Sequence, residues 1–290
     1  MSIDPFFRIC EQFGDRFDPE VLARTIAHWT PRVALHAAHA QELEDIAYGE
    51  HPRHRLDIFP ASGSDNGAPI VLFVHGGGFI SGDKQVSPPF YANVGRYFAS
   101  HGMVGACMNY RLAPEGGWPA AAWDVEAAVA WLLDRGDLYG GDPSRLTVIG
   151  QSAGACHVAT WLFDPKLQGG SQEKIAAAVL MSGFYQASEP LSPGQKAYFG
   201  DDAAAYPARS PLTHARPIAC PTLITCADHD PASLRRQSQA LHAAISASPQ
   251  LGRMAEFPGH NHVSPLMSLG SGDDAAGTLL REFILATARH

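Results

Sequence analysis

Short apolar runs bounded by turn residues recur along the chain, at residues 70–74, 104–110, 146–149, 177–181, 222–227 and 254–257. Runs that stay apolar, rather than alternating with polar positions, mark strands buried on both faces of a sheet. Between them the spacing turns helical, near residues 90–100, 120–133, 153–163, 232–245 and 274–288. Strands that alternate with helices pair in parallel, because each return to the same edge of the sheet requires a crossover. The predicted class is α/β, with a mostly parallel, doubly wound sheet. Two stretches depart from this rhythm. Residues 1–45 read as two amphipathic helical segments ahead of any strand, and residues 185–217 carry five prolines with weak periodicity. In an open α/β sheet such material sits over the carboxyl ends of the strands, where ligands bind, so both are lid candidates.

With 290 residues, 46% of them hydrophobic and 17% charged, the composition is that of a soluble globular protein with a core large enough to need no disulfide or metal staple. No linker, repeat or low-complexity tract divides the chain, so residues 1–290 are read as a single domain. Lys and Arg number 21 against 29 Asp and Glu, a net charge of -8 without a long run of one sign. The clustered cations that grip a phosphate backbone are missing, so no nucleic-acid partner is expected. Five cysteines, an odd number without C-x-x-C spacing, read as reduced thiols. Asp4 and Arg8 stand where a signal peptide would carry its apolar core, and no apolar run approaches the ~20 residues that span a bilayer. The expected location is the cytoplasm, with no membrane partner.

Two motifs carry chemistry. Gly150-Gln151-Ser152-Ala153-Gly154 follows the run at 146–149 and opens the helical pattern at 153–163. G-x-S-x-G at a strand-to-helix turn is a nucleophile elbow, which needs small residues because the turn is tight and lifts the serine oxygen above the sheet. The helix behind it adds partial positive charge that favours a developing oxyanion. Upstream, His75-Gly76-Gly77-Gly78-Phe79 follows the run at 70–74. Successive glycines leave backbone N–H groups unobstructed and allow dihedrals that aim two of them at one oxygen. Either motif alone could be chance or a flexible loop; the pair, in this order, is the lipase and esterase arrangement. A triad in the order Ser, acid, His has its acid after the run at 222–227, where Asp228-His229-Asp230-Pro231 offers two carboxylates. Its base lies after the run at 254–257, where Gly259-His260-Asn261-His262-Val263 offers two imidazoles. His-x-His also resembles a metal pair, but no third ligand stands at suitable spacing, so no metal is expected.

HGGGF, the segment Asn109-Tyr110-Arg111-Leu112-Ala113-Pro114-Glu115 with Pro119 and Asp124 after it, and GQSAG resemble the hormone-sensitive-lipase-like branch of the α/β-hydrolases, mostly bacterial carboxylesterases. Within that set Tyr48-Gly49-Glu50, Leu56-Asp57-Ile58-Phe59 and Arg236-Gln237-Ser238 are similar to kynurenine formamidase and its esterase relatives. The resemblance spans roughly residues 45–285 and implies the α/β-hydrolase fold. It implies Ser152 as nucleophile, Asp230 in its Asp-Pro pair as the acid with Asp228 as runner-up, and His262 as the base. The oxyanion would be held by the N–H groups of Gly77, Gly78 and Ala153, with Gly76 a lesser contributor and His75 holding the loop in shape.

The expected reaction is hydrolysis of short to medium acyl or aryl esters through an acyl-enzyme, without a cofactor; the partner is a small-molecule ester, and a homodimer stays open. Two alternatives stand beside it: arylformamidase action on N-formylkynurenine, and a noncatalytic ligand-binding protein on a hydrolase fold, which an intact Ser, Asp and His argue against. Phe6, Phe7, Phe13, Tyr185, Tyr198 and Phe199 in the lid candidates are read as lining an acyl or aryl pocket. Trp118, Trp123 and Trp131 are read as packing residues, as are Cys156 and His157 on the helix after the nucleophile.

Overall fold

The computed structural model describes residues 5–34, 42–63, 67–167, 170–246, 251–273 and 275–287. Residues 1–4 and 35–41 of the first lid candidate, and positions 274 and 288 of the last expected helix, lie outside that set. One eight-stranded sheet runs through the molecule: β1 (Leu43–Ala47), β2 (Arg55–Phe59), β3 (Ala68–Val74), β4 (Val104–Met108), β5 (Gly141–Gln151), β6 (Ala177–Met181), β7 (Thr222–His229) and β8 (Gly252–Asn261), in spatial order β1-β2-β4-β3-β5-β6-β7-β8. The six strands expected from the apolar runs are all present and mutually parallel. β1 and β2 add an antiparallel edge that the runs did not predict. Their pattern is concealed: β1 is largely exposed, and β2 carries Asp57 in its middle. That carboxylate is buried against the Lys84 ammonium at 2.8 Å, which also reaches Asp45 on β1 at 2.9 Å. The ion pair is what lets a charge sit inside a strand.

Because side chains alternate along a strand, the sheet sorts its apolar residues onto two faces. Ile70, Leu72 and Val74 of β3 join Leu146 and Val148 of β5 under α4 (Ala120–Arg135), α5 (Ala153–Phe163) and α9 (Ala232–Ile245). Val71 and Phe73 of β3 join Ile149, Val179 and Leu223 on the other face. That face is covered by α1 (Pro5–Phe13), α2 (Pro19–Ala34), α3 (Ala92–Ser100), α10 (Ser264–Met267) and α11 (Ala275–Thr287). The second lid candidate forms three short α-helices, α6 (Pro193–Phe199), α7 (Tyr206–Arg209) and α8 (Pro211–His214), with a 3-10 turn at Ala203–Ala205 between the first two. Among the described residues no helix is long and apolar enough to cross a membrane.

The strand order places a crevice. From β3 the chain turns to α3 on one face, and from β5 to α5 on the other, while β3 and β5 are neighbours in register, Val74 opposite Gly150. At such a switch point the two connecting loops part and leave an opening at the carboxyl ends of the strands. The glycine loop and Ser152 leave the sheet side by side there.

Candidate active site

Ser152 sits between β5 and α5 with φ 55° and ψ −116°, a backbone conformation that a non-glycine residue adopts only when its surroundings enforce it. Its N–H donates to the Met181 carbonyl of β6 at 2.9 Å, and its carbonyl accepts from Cys156 N–H at 3.2 Å. The small residues around it are required by close approach: a Cβ on Gly154 would lie 2.2 Å from the Val74 carbonyl oxygen. The half-buried hydroxyl is thereby held above the ends of β3 and β5.

The glycine loop lies against it. A Cβ on Gly76 would come within 3.1 Å of Ser152 Cβ, and Gly77, at φ 134°, turns so tightly that a Cβ there would strike the Ser81 carbonyl. Among the described residues the N–H groups of Gly77, Gly78 and Ala153 donate to no protein acceptor. Unspent donors beside a serine oxygen can receive an oxyanion. His75 anchors the loop from below: its Nδ1–H donates to the Gly76 carbonyl at 2.6 Å, and its ring stacks on Tyr110, whose hydroxyl donates to the His75 carbonyl at 2.7 Å. Burial pushes the His75 imidazole down to about 4, so it is neutral and serves as a strut. The Asn109–Glu115 motif braces the same region. Asn109 Oδ1 accepts from Lys84 N–H at 2.7 Å, and the buried Asp124 takes the Arg111 N–H at 2.8 Å together with its guanidinium.

The structure brings together the three expected triad residues. His262 Nε2 lies 2.8 Å from Ser152 Oγ, and His262 Nδ1 lies 2.7 Å from Asp230 Oδ1. Asp230 is fully buried, and its other oxygen accepts from Ser182 Oγ at 2.5 Å and from Ala227 N–H at 2.8 Å. With Nδ1–H committed to the carboxylate, Nε2 is left as the acceptor facing the serine hydroxyl. Gln151 Nε2 holds the His262 carbonyl at 3.0 Å. The runners-up are occupied elsewhere: Asp228 Oδ2 accepts from Gly259 N–H at 2.8 Å, and His260 Nδ1 pairs with Ser264 Oγ at 2.9 Å. His260 is buried, which pushes its pKa down.

The aromatic expectations divide. Tyr198 and Phe199 pack on Phe79, Tyr198 nearly parallel to it at 4.7 Å, in a cluster that includes Ala153 and Cys156 close to Ser152 in the chain. Tyr185 is buried in the main core instead, and Phe6 is buried against His28 and Trp29. Phe13 lies beneath the Arg16 and Arg24 guanidinium groups at 5.2 and 5.5 Å, and the Phe7 side chain is outside the described set. Trp123 corrects the packing expectation: it is 46% exposed, because its position on α4 faces away from the sheet. Cys156 and His157 are buried as expected, and burial holds the His157 imidazole at about 3.

Three residues near the centre were not anticipated. Ser182 follows the β6 run, and its end-of-strand position was the available signal. Phe184 is half-buried between Phe79 and Phe199. Phe17 lies in the polar turn between α1 and α2, yet its ring is 4.6 Å from that of His262. The lid candidates are built into the site. A Ser192–Gln195 capping box starts α6, and Gly194 in its first turn abuts the Gly78 carbonyl.

The family model described as the prolyl oligopeptidase family matches residues 120–282, and a second, BD-FAE, matches residues 56–165. Esterase LipQ of Mycobacterium tuberculosis is 30% identical over 253 residues, 80% of this chain and 59% of its own. The probable isoprenylcysteine alpha-carbonyl methylesterase ICME of Oryza sativa subsp. japonica is 33% identical over 139 residues, 48% of this chain and 33% of its own. The chain thus spans 33% to 59% of the length of these curated relatives. A hyperthermophilic esterase from Pyrobaculum calidifontis, a solved structure, superposes with a TM-score of 0.73 at 20% identity, over 99% of this chain and 100% of its own. That likeness is one of fold. A family match that runs from α4 into α11, across more than half of the chain, and a known fold laid along nearly its whole length leave one placement: the chain belongs to the prolyl oligopeptidase family of α/β-hydrolases.

Proposed function

We propose that the protein is a serine carboxylesterase that cleaves short to medium acyl or aryl esters by way of an acyl-enzyme on Ser152. The observation that carries this reading is the unbroken hydrogen-bonded line from Asp230 through His262 to Ser152 Oγ, at 2.7 and 2.8 Å, beside three unspent N–H donors. His262 takes the Ser152 proton as the oxygen attacks the ester carbonyl carbon, and Asp230 holds the tautomer and stabilises the imidazolium that forms. The oxyanion is received by Gly77, Gly78 and Ala153 N–H; losing one such donor costs about 3 kcal/mol of barrier. Protonated His262 then gives its proton to the leaving alkoxide, and water repeats the attack to free the acid and restore Ser152.

The substrate range is argued from Phe79, Phe184, Tyr198 and Phe199, whose rings fill the volume beside Ala153 that a long acyl chain would need. An apolar pocket grades its substrates by about 1–3 kcal/mol per methylene, so preference falls off smoothly with chain length. The relatives above carry esterase names, in keeping with this reading. The formamidase resemblance rests on sequence motifs whose residues have bracing contacts: Tyr48 Oη donates to the Asn109 carbonyl, and Gln237 Oε1 accepts from Tyr185 and Gln186 N–H.

The test is a panel of p-nitrophenyl esters of increasing chain length beside N-formylkynurenine, with wild type and Ser152→Ala. Ser152→Ala is expected to stay folded and lose about three orders of magnitude in ester hydrolysis, and a fluorophosphonate is expected to label Ser152 alone. Residual activity above about a tenth of wild type would remove Ser152 from its role. A rate for N-formylkynurenine ten-fold above the best ester would replace the esterase reading with the amide one.

A further inference from the structure

The loop that carries His262 is touched at three successive residues by the N-terminal helix pair. Phe6 of α1 faces the His260 ring at 6.4 Å, Thr25 of α2 holds the Asn261 side chain, and Phe17 between the helices faces the His262 ring at 4.6 Å. The central contact is the most specific. Thr25 is fully buried, and its hydroxyl donates to the Val21 carbonyl at 2.8 Å. Its lone pairs are left to accept, and Asn261 Nδ2–H donates to them at 2.8 Å. Asn261 Oδ1 meanwhile accepts from Val263 N–H at 3.3 Å and Ser264 N–H at 3.2 Å, which fixes the orientation of the amide and starts α10. On the opposite side Gln151 Nε2 grips the His262 carbonyl. The imidazole is thus suspended between β5 and α2.

We propose that the N-terminal helices clamp the histidine loop, and that Thr25, acting through Asn261, is a positioning residue for His262. The proposal rests on the reading that His262 is the general base. A proton relay with both links under 3 Å works only if the imidazole is held to within about 0.5 Å and 10–20°, and the Gln151 grip on the His262 carbonyl together with the Thr25 grip on the neighbouring Asn261 side chain supplies that. Phe17 completes the clamp by packing against the ring, tilted at 60° to it. The segment therefore contributes to the chemical step, whereas the sequence predicted only a roof that shapes the pocket. Removing the Thr25 hydroxyl leaves the buried Asn261 amide without its acceptor, and the loop can relax toward another partner.

The experiment compares Thr25→Val and Thr25→Ser with wild type, reading kcat and KM on a p-nitrophenyl ester and the downfield proton NMR signal of the His262 Nδ1–H. Thr25→Val is expected to lower kcat about ten- to a hundred-fold with KM within about two-fold, and to broaden or shift the signal, because small misplacements of a catalytic group cost rates of that order. Thr25→Ser keeps the hydroxyl and is expected to restore both. A folded Thr25→Val with wild-type kcat and signal overturns the proposal, as does a loss confined to KM or one shared by Thr25→Ser. If Thr25→Val does not fold, Phe17→Ala decides: a kcat loss with a disturbed signal supports the clamp, and wild-type values overturn it. The NMR readout needs no substrate, so a failure of the esterase reading is distinguished from a failure of the clamp.

Discussion

Gly194→Ala separates what the second lid segment does for stability from what it does for catalysis. Gly194 lies in the first turn of α6, where alanine is conformationally acceptable and favours a helix over glycine by up to about 1 kcal/mol. The cost is steric: the new Cβ would lie 2.1 Å from the Gly78 carbonyl oxygen, against about 3.3 Å for a close carbon–oxygen contact. One side has to retreat by about 1 Å, the scale of misplacement that costs about a hundred-fold in rate. α6 is pinned by its buried Tyr198 and Phe199 and by the Trp118 N–H, which donates to the Tyr198 carbonyl at 2.9 Å. The glycine loop is held at Gly76 by the His75 Nδ1–H and at Gly77 by the Ser81 N–H and hydroxyl, which donate to the Gly77 carbonyl at 3.1 and 2.7 Å, and these anchors act on the carbonyls before Gly78, not on the Gly78 carbonyl that the new Cβ meets. The loop is therefore expected to yield, carrying the Gly77 and Gly78 N–H groups away from the place where the proposed mechanism puts the oxyanion. Expected are a Tm within a few degrees of wild type and a kcat/KM on a p-nitrophenyl ester lower by about ten- to a hundred-fold, a share of the ~3 kcal/mol that one lost donor costs. A kcat/KM within two-fold of wild type, at unchanged Tm, would mean that the helix moves and that the loop is not positioned from this side.

Two further outcomes follow from the geometry. Asp230→Asn and His262→Ala should each cost orders of magnitude more in kcat than Asp228→Asn and His260→Ala, and should add little to Ser152→Ala, since residues acting as a unit are not additive; a dead His260→Ala beside an active His262→Ala reverses the assignment. Stability should fall on acidification below about pH 6.5, because the unfolded chain then binds protons that the folded chain, with His75 at about 4 and His157 at about 3, refuses. Each histidine contributes up to about 1.4 kcal/mol per pH unit, down to about pH 4 for His75 and about pH 3 for His157, and neither contributes above pH 6.5. Urea unfolding of wild type and His157→Phe between pH 7.5 and 4.5 measures this, and equal slopes would show that His157 is protonated in the folded protein.

The sequence disclosed most where a residue's role is local. The elbow and the glycine loop announce themselves because their backbone conformations demand particular residues at fixed spacing, and the inner parallel strands because burial on both faces keeps charged residues out of their apolar runs; β8, at the sheet edge, carries exposed Arg253 and Glu256 and shows through its apolar run less cleanly. Choosing Asp230 over Asp228 and His262 over His260 needed the family resemblance, since within a loop neighbouring side chains differ in direction and not in kind. What stayed hidden depends on pairings between distant segments. β2 was obscured by Asp57, whose partner Lys84 stands on another loop. Phe17 was hidden in a polar turn that gives no sign of facing His262, and Gly194 looked like one more residue of a proline-rich stretch.

The adjacency of β3 and β5 also bears on how the protein gains its activity as it folds. Ser152 leaves the sheet at β5, Asp230 after β7 and His262 after β8, so every strand of the parallel run from β3 to β8 has to be in register before their hydrogen-bonded line closes. Each of those pairings spans a crossover and is entropically expensive to reach, which makes such sheets slow to complete. A nascent or partly refolded chain can hold the glycine loop beside Ser152 and still be inert. The hydrogen-bonded line from Asp230 to Ser152 is therefore among the last arrangements the chain acquires, and on the proposed reading activity appears only when the sheet is complete.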